Sequence, residues 1–354
     1  MHEQKEKKFH HEGHEEHEEL GMALRAHEGT LGAKRLLSSF CFVFFVVKFL
    51  STQTGPQMIR HGFVETNELK LHYAATGPAD GHLLLFLHGF PEFWYAWRHQ
   101  LAALGDKYLC VAPDLPGYNL SSKPPEVARY RTKRLIEDVA AFAAQFSRKK
   151  KFTLVAHDWG GALAWAFAIK YPELIDRLII INAVHPGAFQ REIANNPAQA
   201  AASQYIHEIR AEGSETRYAA NDYALVWRSL AKTAEAGHLS PADRAEYIKA
   251  WSEPGALTGM FNWYRAMRMD PPQDGAAPPP IELYNDEALM VRLPTLVIWG
   301  MQDTSLLQGC VESLERWVPN IELHRVPDAS HWIVYEKPQL INETLRRWLI
   351  SGGS

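Results

Sequence analysis

The segment Ala156-His157-Asp158-Trp159-Gly160-Gly161 sets a carboxylate among small residues, between an apolar run (Phe152 to Ala156) and a helix-forming one (Ala162 to Ala168). Small-x-nucleophile-x-small is the sequence form of a nucleophile elbow. Ala156 and Gly160 let the chain turn sharply and let strand and helix pack closely, which thrusts the central side chain out at the carboxyl end of a sheet. A carboxylate in that place attacks carbon and leaves an alkyl ester on Asp158. Taken alone, the segment reads equally well as a glycine-containing turn with an Asp capping a helix. Two further segments change the balance. Trp299-Gly300-Met301-Gln302-Asp303 ends one apolar run, and Ala329-Ser330-His331-Trp332 follows another. Asp158, Asp303 and His331 then stand in the order nucleophile, acid, histidine, each at the end of a predicted strand. His88-Gly89-Phe90-Pro91-Glu92 comes directly after the run Leu83 to Leu87. A loop there supplies one backbone N–H of an oxyanion hole, here from Phe90, and Trp159 after the nucleophile supplies the other.

The elements that must carry these groups follow from the apolar patterning. Gly62 to Thr66 and Leu69 to Ala75 predict paired strands joined at Asn67-Glu68. Leu83 to Leu87, Tyr108 to Ala112, Phe152 to Ala156 and Leu178 to Ile181 are continuous apolar runs, as strands buried on both faces require. Helices are predicted at Phe93 to Ala103, Arg131 to Phe146 and Ala162 to Lys170, and Arg148-Lys149-Lys150-Lys151 reads as a solvated loop. Strands separated by helices imply βαβ units and a mostly parallel sheet. After Asn182 the rhythm changes. Residues 186–290 are helix-like and rich in Ala, Tyr and Trp, with Pro271-Pro272 and Pro278-Pro279-Pro280 breaking the end of the region. Thr295 to Trp299 and Ile321 to Val326 restore the strand pattern, and Leu340 to Leu349 closes with a helix. The expected fold is α/β: a mostly parallel eight-stranded sheet with a helical lid inserted after the sixth strand. Its first part spans 58–185, the lid 186–290 and its second part 291–354.

The amino terminus follows another pattern. Residues 2–19 are nearly all His, Glu and Lys, including His10, His11, His14 and His17. Such a stretch cannot bury enough apolar surface to fold and is expected to be a disordered, solvated tail rather than a metal site. Leu36 to Leu50 is strongly apolar but falls short of the roughly 20 residues a spanning helix needs. No small-x-small cleavage site follows it. A membrane tether, an uncleaved export signal and an upstream start codon all fit, and Met58 is a natural beginning for the folded domain, so residues 1–57 are set apart from it and a membrane contact through 36–50 stays open. A net charge of -4 argues against a nucleic-acid partner. Three widely spaced cysteines (Cys41, Cys110, Cys310) suggest neither a disulfide framework nor a zinc site, and point to a reducing, cytoplasmic setting for the folded part. Eleven Trp, thirteen Tyr and sixteen Phe leave ample material for an aromatic pocket.

With these motifs in hand, the chain from about residue 60 onward resembles the α/β-hydrolase-fold epoxide hydrolases of the soluble type. His88-Gly89-Phe90-Pro91-Glu92 is similar to that family's oxyanion loop, and His157-Asp158-Trp159-Gly160-Gly161 to its nucleophile elbow. Asn262-Trp263-Tyr264-Arg265 resembles the lid segment that supplies one ring-opening tyrosine, which implies that role for Tyr264. The second tyrosine is best matched by Ser203-Gln204-Tyr205-Ile206, with Tyr218 and Tyr223 nearby. One departure is Asp114-Leu115-Pro116-Gly117-Tyr118-Asn119, where the family more often has Arg for Pro116 and Gly for Asn119. The resemblance implies hydrolysis of a small apolar epoxide by water, with no metal and no organic cofactor. The nearest alternative in chemistry is a haloalkane or haloacid dehalogenase built on the same Asp, His and acid. Trp159 fits a halide donor, but Phe90 lacks the side-chain amide that haloalkane dehalogenases tend to have there, and fluoroacetate dehalogenases tend to carry Arg at the position of Trp159. No Gly-x-Ser-x-Gly elbow appears, which disfavours a serine esterase. A non-catalytic ligand binder on the same fold is the alternative of a different class.

Overall fold

The computed structural model describes residues 58–273 and 286–351. Residues 1–57, with the charged tail and the apolar segment 36–50, lie outside the described residues, as does Pro278-Pro279-Pro280. Eight strands form one sheet: β1 (Arg60–Thr66), β2 (Leu69–Thr76), β3 (Leu83–Leu87), β4 (Leu109–Pro113), β5 (Phe152–His157), β6 (Ile175–Ile181), β7 (Thr295–Gly300) and β8 (Ile321–Val326). Their spatial order is β1-β2-β4-β3-β5-β6-β7-β8. The first hairpin is antiparallel and β2 runs antiparallel to β4, whereas every pairing from β4 to β8 is parallel.

Local chemistry explains the hairpin. Thr66 pairs with Leu69, so the loop is Asn67-Glu68 alone, and both of its residues have positive φ. That is the two-residue turn whose twist matches the flanking strands, and Asn accepts the left-handed conformation more readily than most residues. The central strands β3, β4, β5 and β7 are buried along their whole length. Continuous apolar sequence is what such strands need, because helices cover both faces.

Core helices α1 (Arg98–Leu104), α2 (Thr132–Ser147) and α3 (Asp158–Lys170) lie in the first part of the chain. The single helix expected over Phe93 to Ala103 is divided: a 3-10 turn at Trp94–Trp97 precedes α1. Helix α3 begins at Asp158, earlier than the expected Ala162, because Gly160 and Gly161 are helical here. Packing overrides their weak helix propensity. Between β6 and β7 stand the lid helices α4 (Pro186–Asn195), α5 (Pro197–Ala202), α6 (Tyr205–Arg210), α7 (Ser214–Trp227), α8 (Ala231–Glu235), α9 (Pro241–Ser252) and α10 (Ala256–Ala266). Three of them start with proline at the first turn, where its missing N–H would have no helical partner, and α9 adds a Ser240/Asp243 capping box. Helices α11 (Ile333–Glu336) and α12 (Pro338–Ser351) end the described chain.

The lid is fastened to the core through specific hydrogen bonds. The Trp251 indole donates to the Pro91 carbonyl at 2.7 Å, and the Trp263 indole to the Pro116 carbonyl at 2.9 Å. Gln199 of α5, fully buried, donates to the Ser305 carbonyl and accepts from the Leu307 amide, both at 2.8 Å. These ties hold lid helices against the loops that follow β3, β4 and β7. Among the described residues no helix is long and apolar enough to cross a membrane.

Candidate active site

Asp158 leaves β5 with φ +50, a left-handed conformation that is uncommon for a residue with a side chain. Two glycines make the elbow sterically feasible. A Cβ on Gly160 would lie 2.4 Å from the carbonyl oxygens of both Leu87 and His88, and one on Gly89 would lie 2.2 Å from Asp158 Oδ1. The start of α3 and the loop after β3 are therefore in backbone contact around the carboxylate.

The three residues expected to act together converge. His331 Nε2 lies 3.5 Å from Asp158 Oδ2, and its Nδ1 lies 2.6 Å from Asp303 Oδ2. Asp303 is itself well held. Its Oδ1 accepts from the amides of Ser305 and Leu306, both at 2.8 Å, and its Oδ2 accepts from the Asn182 side chain at 2.8 Å. Burial alone would raise the Asp303 carboxyl, but the charge of His331 and these hydrogen bonds outweigh it and hold it below the usual range. Asp158 behaves alike: burial opposes ionisation, and His331, His157 and the Phe90 amide more than offset it. For His331 burial would favour the neutral ring, yet Asp303 and Asp158 together hold the imidazolium well above the ordinary histidine value.

The Phe90 amide donates to Asp158 Oδ1 at 2.6 Å, so the loop after β3 points an N–H at the carboxylate. The Trp159 amide lies in the first turn of α3, where backbone N–H groups have no carbonyl four residues back. Above the carboxylate the lid brings two phenols together. Tyr264 on α10 is buried, and its ring lies 6.1 Å from that of Tyr205 at the start of α6. The Trp159 ring packs edge to face on that of Tyr264, with centroids 5.0 Å apart. Burial comes first in pushing both phenols up, followed for Tyr205 by the charge of Asp158 and for Tyr264 by Tyr205 and then Asp158. Tyr218 and Tyr223 are placed elsewhere: the Tyr218 ring packs 5.1 Å from Phe261, and that of Tyr223 6.0 Å from Trp251.

Comparison with known proteins agrees with this geometry. The family profile for the alpha/beta hydrolase fold matches residues 82–338. Epoxide hydrolase 4 of Homo sapiens is 33% identical over 84% of this chain and 80% of its own length. Epoxide hydrolase 1 of Caenorhabditis elegans is 33% identical over 88% of this chain and 78% of its own. The crystal structure of the Bacillus megaterium epoxide hydrolase with an inhibitor superposes with a TM-score of 0.72 at 31% identity, over 81% of this chain and 99% of that one. The chain belongs to the epoxide hydrolase family. It is a hydrolase of the α/β-hydrolase fold.

Where this epoxide hydrolase family member departs from the usual pattern, the structure supplies a compensation. Asn119 stands where Gly is more common and has φ +39, and its amide donates to Asp114 Oδ2 at 2.8 Å. Asn is the next residue able to take that conformation, and here the side chain gains a buried partner. At Pro116 the carbonyl is what the neighbourhood uses, as the acceptor of the Trp263 indole.

Three residues around the site escape a reading of the sequence. Asn182, at the end of β6, donates to Asp303 Oδ2 and to the Gly300 carbonyl, and accepts from the Gly300 amide at 2.7 Å. Its position at a strand end beside the acid loop is the signal that could have found it. Glu92 and His157 lie inside quoted motifs, but their partnership spans 65 residues of chain: Glu92 Oε2 and His157 Nδ1 are 3.0 Å apart, with both side chains wholly buried.

Proposed function

We propose that the protein hydrolyses a small epoxide to a vicinal diol through a covalent ester on Asp158. The observation that carries this reading is an ionised carboxylate at the carboxyl end of β5, with His331 on one side and the paired phenols of Tyr205 and Tyr264 above it. Asp158 attacks an epoxide carbon, and the C–O bond of the ring breaks. The departing alkoxide is strongly basic, and Tyr205 and Tyr264, still protonated far above neutral pH, donate hydrogen bonds and the proton to it. His331, oriented by Asp303, then takes a proton from water, which attacks the carbonyl carbon of the ester. The Phe90 and Trp159 amides stabilise the tetrahedral oxyanion, which collapses with cleavage of its bond to the substrate oxygen; the proton of the added hydroxyl passes to the departing alkoxide, giving the diol and the Asp158 carboxylate. Phe90 and Trp159 both pack against Tyr264, with ring centroids 5.2 and 5.0 Å from it, and give the reacting centre an aromatic wall suited to an apolar substrate.

Single turnover in heavy-oxygen water tests the ester. Excess enzyme is expected to yield diol carrying light oxygen from Asp158, while the heavy atom enters the carboxylate. Heavy oxygen in the first-turnover diol would rule the ester out. The halide reading is disfavoured because Phe90 offers no side-chain N–H beside Asp158, and the lid presents phenols there instead. Tyr264→Phe should accordingly slow epoxide opening by about 10²-fold and spare displacement from a haloalkane, read by stopped-flow alkylation with each substrate. Slowed halide displacement with intact ring opening would favour the dehalogenase.

A further inference from the structure

Behind the reacting groups lies a second run of buried polar side chains. Tyr247 on lid helix α9 shares a hydrogen bond with Tyr335 on α11, and the Tyr335 hydroxyl donates to Glu92 Oε1. Glu92 Oε2 accepts from the Gly89 amide at 3.2 Å and meets His157 Nδ1 at 3.0 Å. His157 Nε2 lies 2.9 Å from the backbone carbonyl of His331. Tyr247, Glu92 and His157 are within 1% of full burial, and Tyr335 within 2%.

The partners fix the direction of the bonds at the two ends of this run. A carbonyl only accepts, so His157 Nε2 carries a hydrogen. Both Glu92 oxygens face donors, Tyr335 at Oε1 and Gly89 at Oε2, and Oε2 also meets His157 Nδ1. Burial would disfavour the Glu92 charge, yet His157 and Tyr335 hold this carboxyl below its usual range. Burial and Glu92 hold the Tyr335 phenol protonated, which keeps it a donor. The chain of bonds therefore ends on the main chain of the residue that activates water.

We infer that Tyr335, backed by Tyr247, is a positioning residue for ester hydrolysis: it anchors Glu92, which fixes His157, which in turn holds the His331 backbone. This rests on the ester reading above. Tyr335 forms no hydrogen bond with Asp158, Tyr205 or Tyr264, so its influence reaches the second step through His331 and leaves carbon attack by Asp158 largely untouched.

Steady-state and single-turnover kinetics of Tyr335→Phe separate the two steps. When attack is irreversible, kcat/KM reports attack alone, so slowed ester hydrolysis lowers kcat and KM together. Tyr335→Phe is expected to lower kcat about tenfold, the scale of one lost bond to a charged group, with kcat/KM nearly unchanged. The intact protein should then carry the substrate's mass at steady state. Glu92→Gln, which keeps the shape but removes the charge, should give the same split, and it decides the question if Tyr335→Phe does not fold. Equal losses in kcat and kcat/KM, or unchanged kinetics with only a lower Tm, would overturn the inference. If the wild type forms an ester and these variants behave so, the inference alone fails. If His331→Gln never traps an ester, the underlying reading fails first.

Discussion

Asp158→Asn is expected to abolish epoxide turnover, with a loss on the order of 10⁶-fold, the scale seen when a nucleophile that works as part of a unit is removed. Asparagine suits the test because it tolerates the φ of +50 at this position better than alanine would. The amide keeps the shape and can still accept from the Phe90 N–H, so the elbow should survive. What disappears is the negative charge, and His331 reports that separately. In the parent protein Asp158 contributes both a hydrogen bond and charge to holding the His331 proton, and Asp303 contributes the rest. The imidazole titration, followed by NMR, is expected to move down in Asp158→Asn. An unmoved His331 would mean that the 3.5 Å contact does not carry the coupling.

The sign of the stability change follows from the same shifts. A histidine whose folded pKa is raised contributes stability fully below its unfolded value, 6.5, and loses it as pH rises through the raised value. The lowered Asp158 contributes above its unfolded value, 3.8, and loses it as pH falls through the lowered one. The stability gap between parent and Asp158→Asn should therefore be widest between these two reference values and narrow on either side. Urea midpoints measured across pH check this. A gap independent of pH would show that the pair adds nothing to folding.

The parts of this site that can be read from sequence are those that local physics encodes. Strands β3, β4, β5 and β7 announce themselves because burial on both faces leaves them mostly apolar. The elbow shows because Gly160 has no room for a Cβ. Strand β6 is harder: only Leu178 to Ile181 reads as a strand, yet it begins at Ile175, because Asp176 and Arg177 interrupt the apolar run. Arg177 is accommodated by donating to the Leu349 carbonyl at 2.7 Å, near the end of α12, a partner 172 residues away. The kink inside α7 is equally hidden. Asn221, Asp222 and Tyr223 are all left-handed, and nothing in their local sequence demands it. Glu92, His157 and Asn182 belong to the same class: each owes its role to a partner that only the assembled sheet brings near. Residue type and order reveal the groups that react; the groups that hold them in place depend on tertiary contact.

His331→Gln is expected to slow ester hydrolysis by about 10²–10⁴-fold, the usual contribution of a positioned general base, and to leave the alkyl ester on Asp158 as the resting species. Intact-protein mass spectrometry after a brief exposure to epoxide should show one substrate mass added, and peptide mapping should place it on Asp158. The electrostatics of the free site explain why the step needs this residue and why it works only after attack. Before attack, two carboxylates flank His331 and keep it protonated, a poor state for a base. Forming the ester neutralises Asp158 and removes both its charge and its hydrogen bond from the imidazole. Asp303 alone remains, the burial that favours a neutral ring then weighs more heavily, and the imidazolium gives its proton back to the tyrosinate left by ring opening. The base is thus produced by the first step of the reaction. In the wild type, the pH limb of single-turnover ester hydrolysis should accordingly lie below the pH at which His331 titrates in the resting enzyme. Coincidence of the two would mean that esterification leaves the imidazole unchanged. Trapping no adduct in His331→Gln, with diol formation undiminished, would remove His331 from the reaction altogether.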